Sequence, residues 1–117
     1  MEKLTPEVLA SALAAAGVPD ADATTAAAHL DDTMKRSILA LYRSAISVGS
    51  EWESDLERAP VPGLVLWGEN DPYAAAEFGR RLASRTGARF VPFAGSSHWW
   101  QLERASDVAH ELEAHWR

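Results

Sequence analysis

The chain has 117 residues, a net charge of −6, an ordinary balance of apolar and charged residues, and no cysteine. That length is one domain or a piece of one. The negative charge argues against nucleic acid or an anionic membrane as a partner, and the missing thiols exclude disulfides and thiolate metal sites.

No apolar run approaches the ~18 residues that a membrane span needs. The N-terminus, Met1-Glu-Lys-Leu-Thr-Pro6, lacks the apolar run of a signal peptide. A cytoplasmic location is therefore expected. Thr5-Pro6-Glu7 reads as a helix start, with Thr5 as N-cap and Pro6 at the first helical position. Leu9, Ala12, Leu13 and Ala16 share a face, Gly17 suits the position after the helix, and Val18-Pro19-Asp20 is a turn. The spacing then predicts one long helix from about Asp22 to Ile46, with Leu30, Met34, Ile38, Leu41 and Ala45 as its apolar stripe. Asp31, Asp32, Lys35 and Arg36 lie mostly off that stripe as a solvated face, and His29 reads as a surface histidine. Val48-Gly49-Ser50 is expected to end the helix. Trp52 and Leu56 would anchor a connection or a short helix, and Pro60 and Pro62 punctuate the entry to a strand.

Leu64-Val65-Leu66-Trp67 shows no alternation, the mark of a parallel strand covered on both faces. Tyr73 to Thr86 is helical, with Ala76, Leu82 and Ala83 inward and Gly87 closing it. Arg89 to Phe93 is a second strand, placed at a sheet edge because Pro92 cannot donate to a ladder. Strand, helix and strand make a βαβ unit. Ala94 to Trp100 is a loop. A last helix runs from Ser106, its N-cap, to Trp116, with Val108, Ala109, Leu112 and Trp116 on its apolar side.

The chemistry gathers at the carboxyl ends of the two strands, where reacting groups collect in open α/β sheets. Asp71 follows the first strand and His98 the second. Each has an ordinary alternative: Asp71-Pro72 is a good N-cap and N1 pair, and His98 can be a plain loop histidine among tryptophans. Neighbouring strands lie ~4.8 Å apart, so the two side chains can meet. A carboxylate on one imidazole nitrogen fixes the tautomer and leaves the other nitrogen free as a base.

From Leu56 to Trp116 the sequence resembles the C-terminal part of an α/β-hydrolase. The resemblance rests on Pro62-Gly-Leu-Val-Leu-Trp-Gly-Glu-Asn-Asp71, then helix and strand, then Phe93-Ala-Gly-Ser-Ser-His98-Trp-Trp-Gln-Leu-Glu103, then a closing helix. The 27-residue step from Asp71 to His98 fits one crossover helix. The helices before Ser50 resemble the cap that many members insert ahead of the acid strand. The resemblance implies an α/β fold in which residues 1–50 form a helical cap-like segment. Residues 51–117 would then be the C-terminal βαβα part of the core, an incomplete sheet of two parallel strands. It implies that Asp71 orients and stabilises His98, and that His98 is the general base. The nucleophile would come earlier, on a Gly-x-Ser-x-Gly elbow or an aspartate elbow. This sequence has neither the serine elbow nor a His-Gly oxyanion motif. Ser96 and Ser97 share a loop with the base and have no strand-to-helix turn beneath them.

Two parallel strands do not make a stable sheet. Exposing several Leu or Val side chains, worth ~1.5–3 kcal/mol each when buried, would consume much of a typical stability of ~5–15 kcal/mol. The expectation is a fragment of a longer hydrolase, a clipped product, or a truncated chain that pairs its open edge with another copy. The partners would be a small, mainly apolar substrate with an ester- or amide-like bond, and either the missing N-terminal half or a second copy of the chain. No cofactor is called for, and the chain alone is expected to be inactive. The alternative is a non-catalytic module that self-associates through the edge at Leu64–Trp67. A free-standing helical binding domain fits the first 48 residues but not the βαβ unit. Trp99 and Trp100 can form an apolar substrate wall, or one can pack inward and the other lie at the surface. His110-Glu111-Leu112-Glu113-Ala114-His115 mimics a zinc-protease motif with one residue too many, which sets its imidazoles ~140° apart on a helix and excludes a shared metal. No glycine-rich phosphate loop is present.

Overall fold

The computed structural model describes residues 4–56, 58 and 60–117. These form seven helices and two strands in two compact units that divide after residue 57.

In the first unit, α1 (Pro6–Ala15) starts where Thr5 accepts the Val8 N–H, and Gly17 takes a positive φ of 94° just beyond its end. It packs on α2 (Asp20–Ala28), and Val18, Ala23 and Ala27 are buried there. Small alanines permit this close approach of the two backbones.

The single helix expected from Asp22 to Ile46 is in fact two. Helix α2 stops at His29, and α3 (Asp32–Ser44) begins after Asp31, whose side chain accepts the Met34 N–H at 2.7 Å. A capping carboxylate at Asp31 outweighs the continuous apolar stripe, because it satisfies a helix-end donor that a continuing helix would not expose. Asp31 is therefore a cap and not a member of a solvated helix face. A second expectation also fails: Val48-Gly49-Ser50 opens α4 (Val48–Leu56) and does not end a helix. The Ser47 carbonyl accepts the Glu51 N–H at 3.1 Å and the Ser47 hydroxyl pairs with the Glu51 carboxylate, which closes the first turn despite Gly49. The stripe of α3 is largely uncovered, with Ile38, Leu41 and Tyr42 exposed.

The second unit is the βαβα arrangement. Strands β1 (Leu64–Gly68) and β2 (Arg89–Phe93) pair in parallel, in register from Leu64 opposite Arg89 to Gly68 opposite Phe93. Pro92 sits opposite Trp67. Arg89 donates to the Gly63 carbonyl and Phe93 accepts from Glu69, so the alternate residue Pro92 turns its donorless nitrogen away from β1, to the side of β2 left unpaired among the described residues. The crossover helix α5 (Ala76–Thr86) lies on both strands and ends at Gly87 in a left-handed conformation. It is three residues shorter at its start than expected, because Tyr73 and Ala74 are held in a turn by Asp71. Gly79 lets α5 settle on the sheet: a Cβ there would lie 2.7 Å from the Trp67 ring and 2.9 Å from the Phe90 ring. Trp67 also donates its indole N–H to the Ala74 carbonyl at 3.0 Å.

After β2 the chain makes a one-turn helix, α6 (Trp100–Glu103), which begins at the last residue of the expected loop, and then α7 (Ala105–Trp116). The final helix starts after Arg104, so Ser106 lies within its first turn and is not the cap; the Arg104 carbonyl already accepts the Val108 N–H at 2.9 Å. A salt bridge of 2.6 Å from Arg89 to Glu111 ties α7 to β2. No described helix is long and apolar enough to cross a membrane.

Candidate active site

The site is built where β1 and β2 end. Beyond β1 the ladder continues: Glu69 N–H donates to the Phe93 carbonyl at 3.2 Å and Asn70 N–H to the Ser96 carbonyl at 2.9 Å. Asp71 N–H then turns back to the Gly68 carbonyl at 3.3 Å, which places the Asp71 side chain at the mouth of the sheet. On the other strand Phe93 is buried, Gly95 turns with φ +75°, and Ser96 is buried, so His98 emerges beside Asp71.

The two groups meet. His98 Nδ1 lies 2.7 Å from Asp71 Oδ2, while Asp71 Oδ1 accepts the Tyr73 N–H at 2.8 Å and the Ala74 N–H at 3.1 Å. The Asp71 side chain is 5% exposed and that of His98 44%. Burial alone would raise the Asp71 pKa. The hydrogen bond from His98 and those from the Tyr73 and Ala74 amides overcome that effect and leave its carboxyl below the usual carboxylate value. An ionised Asp71 places the imidazole proton on Nδ1 and leaves the lone pair on Nε2. Nε2 has no hydrogen-bond partner among the described residues.

Of the two tryptophans, Trp99 stands edge-on to the His98 ring, with centroids 5.3 Å apart and planes at 90°. Trp100 stacks on buried Phe93 at 5.5 Å and 22°. Tyr73 also stands edge-on to the imidazole, at 5.1 Å and 79°. Sequence reasoning missed Tyr73, although a turn tethered by Asp71 has to carry the residue two places on back toward the site. It also missed Glu103, which accepts the Ser97 N–H at 2.9 Å and the Ser97 hydroxyl. That hydroxyl is thereby committed to a carboxylate. Gly68 is the third omission: a Cβ there would collide with the Ser97 carbonyl.

Comparison with protein families gives a match to the alpha/beta hydrolase family over residues 3–111, nearly the whole sequence. The chain belongs to the α/β-hydrolase family. Its strand–helix–strand unit and its incomplete parallel sheet are the α/β class that the sequence implies. No curated protein and no solved structure matches the chain. In this family member, no group of three His, Cys, Asp or Glu side chains among the described residues is placed to hold a metal ion.

Proposed function

We propose that this α/β-hydrolase chain supplies the acid and the base of a cofactor-independent hydrolase acting on small, mainly apolar esters or amides. Residues 1–50 would serve as the cap and residues 51–117 as the C-terminal part of the core. The supporting observation is the Asp71–His98 contact at 2.7 Å, with a buried carboxylate behind a half-exposed imidazole. That geometry supports a base whose far nitrogen would face the reacting group.

In this reading Asp71 orients His98 and stabilises the imidazolium. His98 Nε2 takes the proton of a nucleophilic serine hydroxyl and returns it to the leaving alkoxide or amine; with an aspartate nucleophile it takes the proton of the water that attacks the aspartyl alkyl ester and returns it to the departing alkoxide. The nucleophile, Ser or Asp, would be supplied by a segment other than the residues of this chain. Trp99, edge-on to the imidazole, would offer apolar surface to the substrate, with Trp100 behind it.

The test is hydrolysis of p-nitrophenyl butyrate. The chain alone should show no turnover that depends on His98. Expressed together with the coding sequence upstream of Met1, it should turn over, and His98→Ala should remove about 10²–10⁴-fold of the rate, the usual worth of a general base. Turnover by the joined protein that His98→Ala leaves unchanged would sink the proposal.

A second reading has one observation behind it: both strands keep an unpaired side in the two-stranded sheet among the described residues. A second copy pairing along β1 would make a non-catalytic dimer. Monomeric sedimentation at high concentration would argue against it.

A further inference from the structure

We infer that Glu103 is the positioning residue of the Asp71–His98 pair, holding the backbone on both sides of His98 so that Nδ1 stays on the carboxylate. The inference rests on reading those two residues as an acid–base pair.

The His98 side chain is poorly walled. It is 44% exposed, and its ring contacts are the edge-on ones to Tyr73 and Trp99. An imidazole so exposed can rotate away from its partner unless the backbone that carries it is fixed. The fixing group is on the page. Ser97 N–H donates to Glu103 Oε2 at 2.9 Å and the Ser97 hydroxyl donates to Oε1. The oxygen of that same hydroxyl accepts the Trp99 N–H at 3.1 Å. The residues immediately before and after His98 are thus both tied to one carboxylate, one directly and one through a hydroxyl whose proton that carboxylate orients.

Glu103 is itself anchored. Its N–H, and that of Leu102, donate to the Trp99 carbonyl at 3.2 Å and 2.9 Å, so α6 and the carboxylate close residues 97–103 into one ring of hydrogen bonds. Burial works against charge on Glu103, but the bonds from the Ser97 hydroxyl, the Ser97 amide and the Ser96 hydroxyl prevail and lower its pKa. The clamp is therefore anionic at neutral pH, and its bonds are the stronger charge-assisted kind.

The test uses the ¹⁵N-labelled full chain as wild type, Glu103→Ala, Glu103→Gln and Asp71→Asn. The readouts are the His98 ring nitrogen shifts, which report the tautomer, and Ser97 amide exchange. The wild type should hold its proton on Nδ1, and Asp71→Asn should abolish that preference. Glu103→Ala should average the tautomers and speed Ser97 exchange about tenfold or more. Glu103→Gln keeps one acceptor oxygen and should fall between.

A merely structural Glu103 would change exchange and melting temperature while leaving the His98 tautomer untouched, and that result overturns the inference. Should Glu103→Ala not fold, Glu103→Gln decides by the same rule. Averaged tautomers already in the wild type, indifferent to Asp71→Asn, overturn the acid–base reading and this inference together. A fixed tautomer in the wild type that survives in Glu103→Ala overturns the inference alone.

Discussion

Gly68→Ala should cripple the second unit and misplace His98 through a single methyl group. The added Cβ would lie 2.0 Å from the Ser97 carbonyl oxygen, 2.8 Å from that of Ser96 and 2.9 Å from the Ser97 carbonyl carbon. All three are backbone atoms, so no side chain can swing aside. Ordinary contact begins at 3.4 Å, so the loop must retreat from 2.0 Å by roughly 1.4 Å, a clash that cores relieve only by backbone shifts. His98 is the next residue. The same displacement would stretch its 2.7 Å contact with Asp71 to about 4 Å, beyond hydrogen bonding. The Asn70 N–H bond to Ser96 at 2.9 Å would lengthen equally. Overpacking costs about 1–3 kcal/mol and each lost bond about 0.5–3 kcal/mol depending on charge. The net loss should be about 2–5 kcal/mol, or roughly 10 °C or more in melting temperature for a unit of this size. Circular-dichroism melts read the stability and His98 ring shifts read the site. Gly49→Ala is the matched control, since a Cβ there meets nothing within 4 Å and should stabilise α4 by about 0.5–1 kcal/mol. If Gly68→Ala melts within about 2 °C of the wild type and keeps the His98 shifts, the close approach does not govern this loop and the reasoning is wrong.

Asp71 titrates lower in the folded chain than in the unfolded one. Between those two values the unfolded chain binds more protons, so the stability Asp71 contributes is complete above its unfolded pKa and drains away as pH falls through its folded pKa. Urea midpoints across the acid range should show a steeper loss for the wild type than for Asp71→Asn; parallel profiles would contradict this. Gly79→Ala places a Cβ 2.7 Å from the Trp67 ring and should cost about 1–3 kcal/mol by urea unfolding, although alanine is the better helix former by about 1 kcal/mol. Asp31→Ala removes the cap of α3 and should cost about 0.5–2 kcal/mol with a loss of far-UV helix signal. A gain in helix signal would instead mean that α2 and α3 are continuous.

The βαβ unit could be read from the sequence because its signals are local and agree. Leu64 to Trp67 is an unbroken apolar run, Gly87 marks a helix end, and Asp71 and His98 each follow a strand. The first unit was harder. In α2 and α3 the apolar period runs through Leu30 without a break, so periodicity alone favours one helix, whereas the decision lies in whether Asp31 turns its carboxylate to an amide three residues ahead. Two adjacent aspartates look the same to a pattern whether they are solvated or capping. Val48-Gly49-Ser50 misled for a related reason: glycine is common just past a helix end, but here the start is set by Ser47 and Glu51. Gly68 and Glu103 stayed hidden because their meaning is a distance between residues far apart in the chain or across a turn, and no spacing rule encodes 2.0 Å from a carbonyl.

The helix-cap alternative for Asp71 is not what the chain builds: α5 starts at Ala76 after Ala75, and the Asp71 carboxylate holds a turn instead. To hold the turn it needs an oxygen for backbone amides; to orient His98 it needs one for an imidazole. A carboxylate has two oxygens, and the chain divides them: Oδ1 gathers the Tyr73 and Ala74 amides while Oδ2 receives His98. The division gives the site its rigidity, because the amides that tighten the turn also fix the plane in which Oδ2 points. The turn in turn carries Tyr73 back against the imidazole. Asparagine would serve the turn with its one acceptor oxygen but would present an amide donor to Nδ1–H. The local fold would survive such a change, while the tautomer that frees Nε2 would not. Structure and proposed chemistry therefore separate at a single atom, Oδ2 of Asp71.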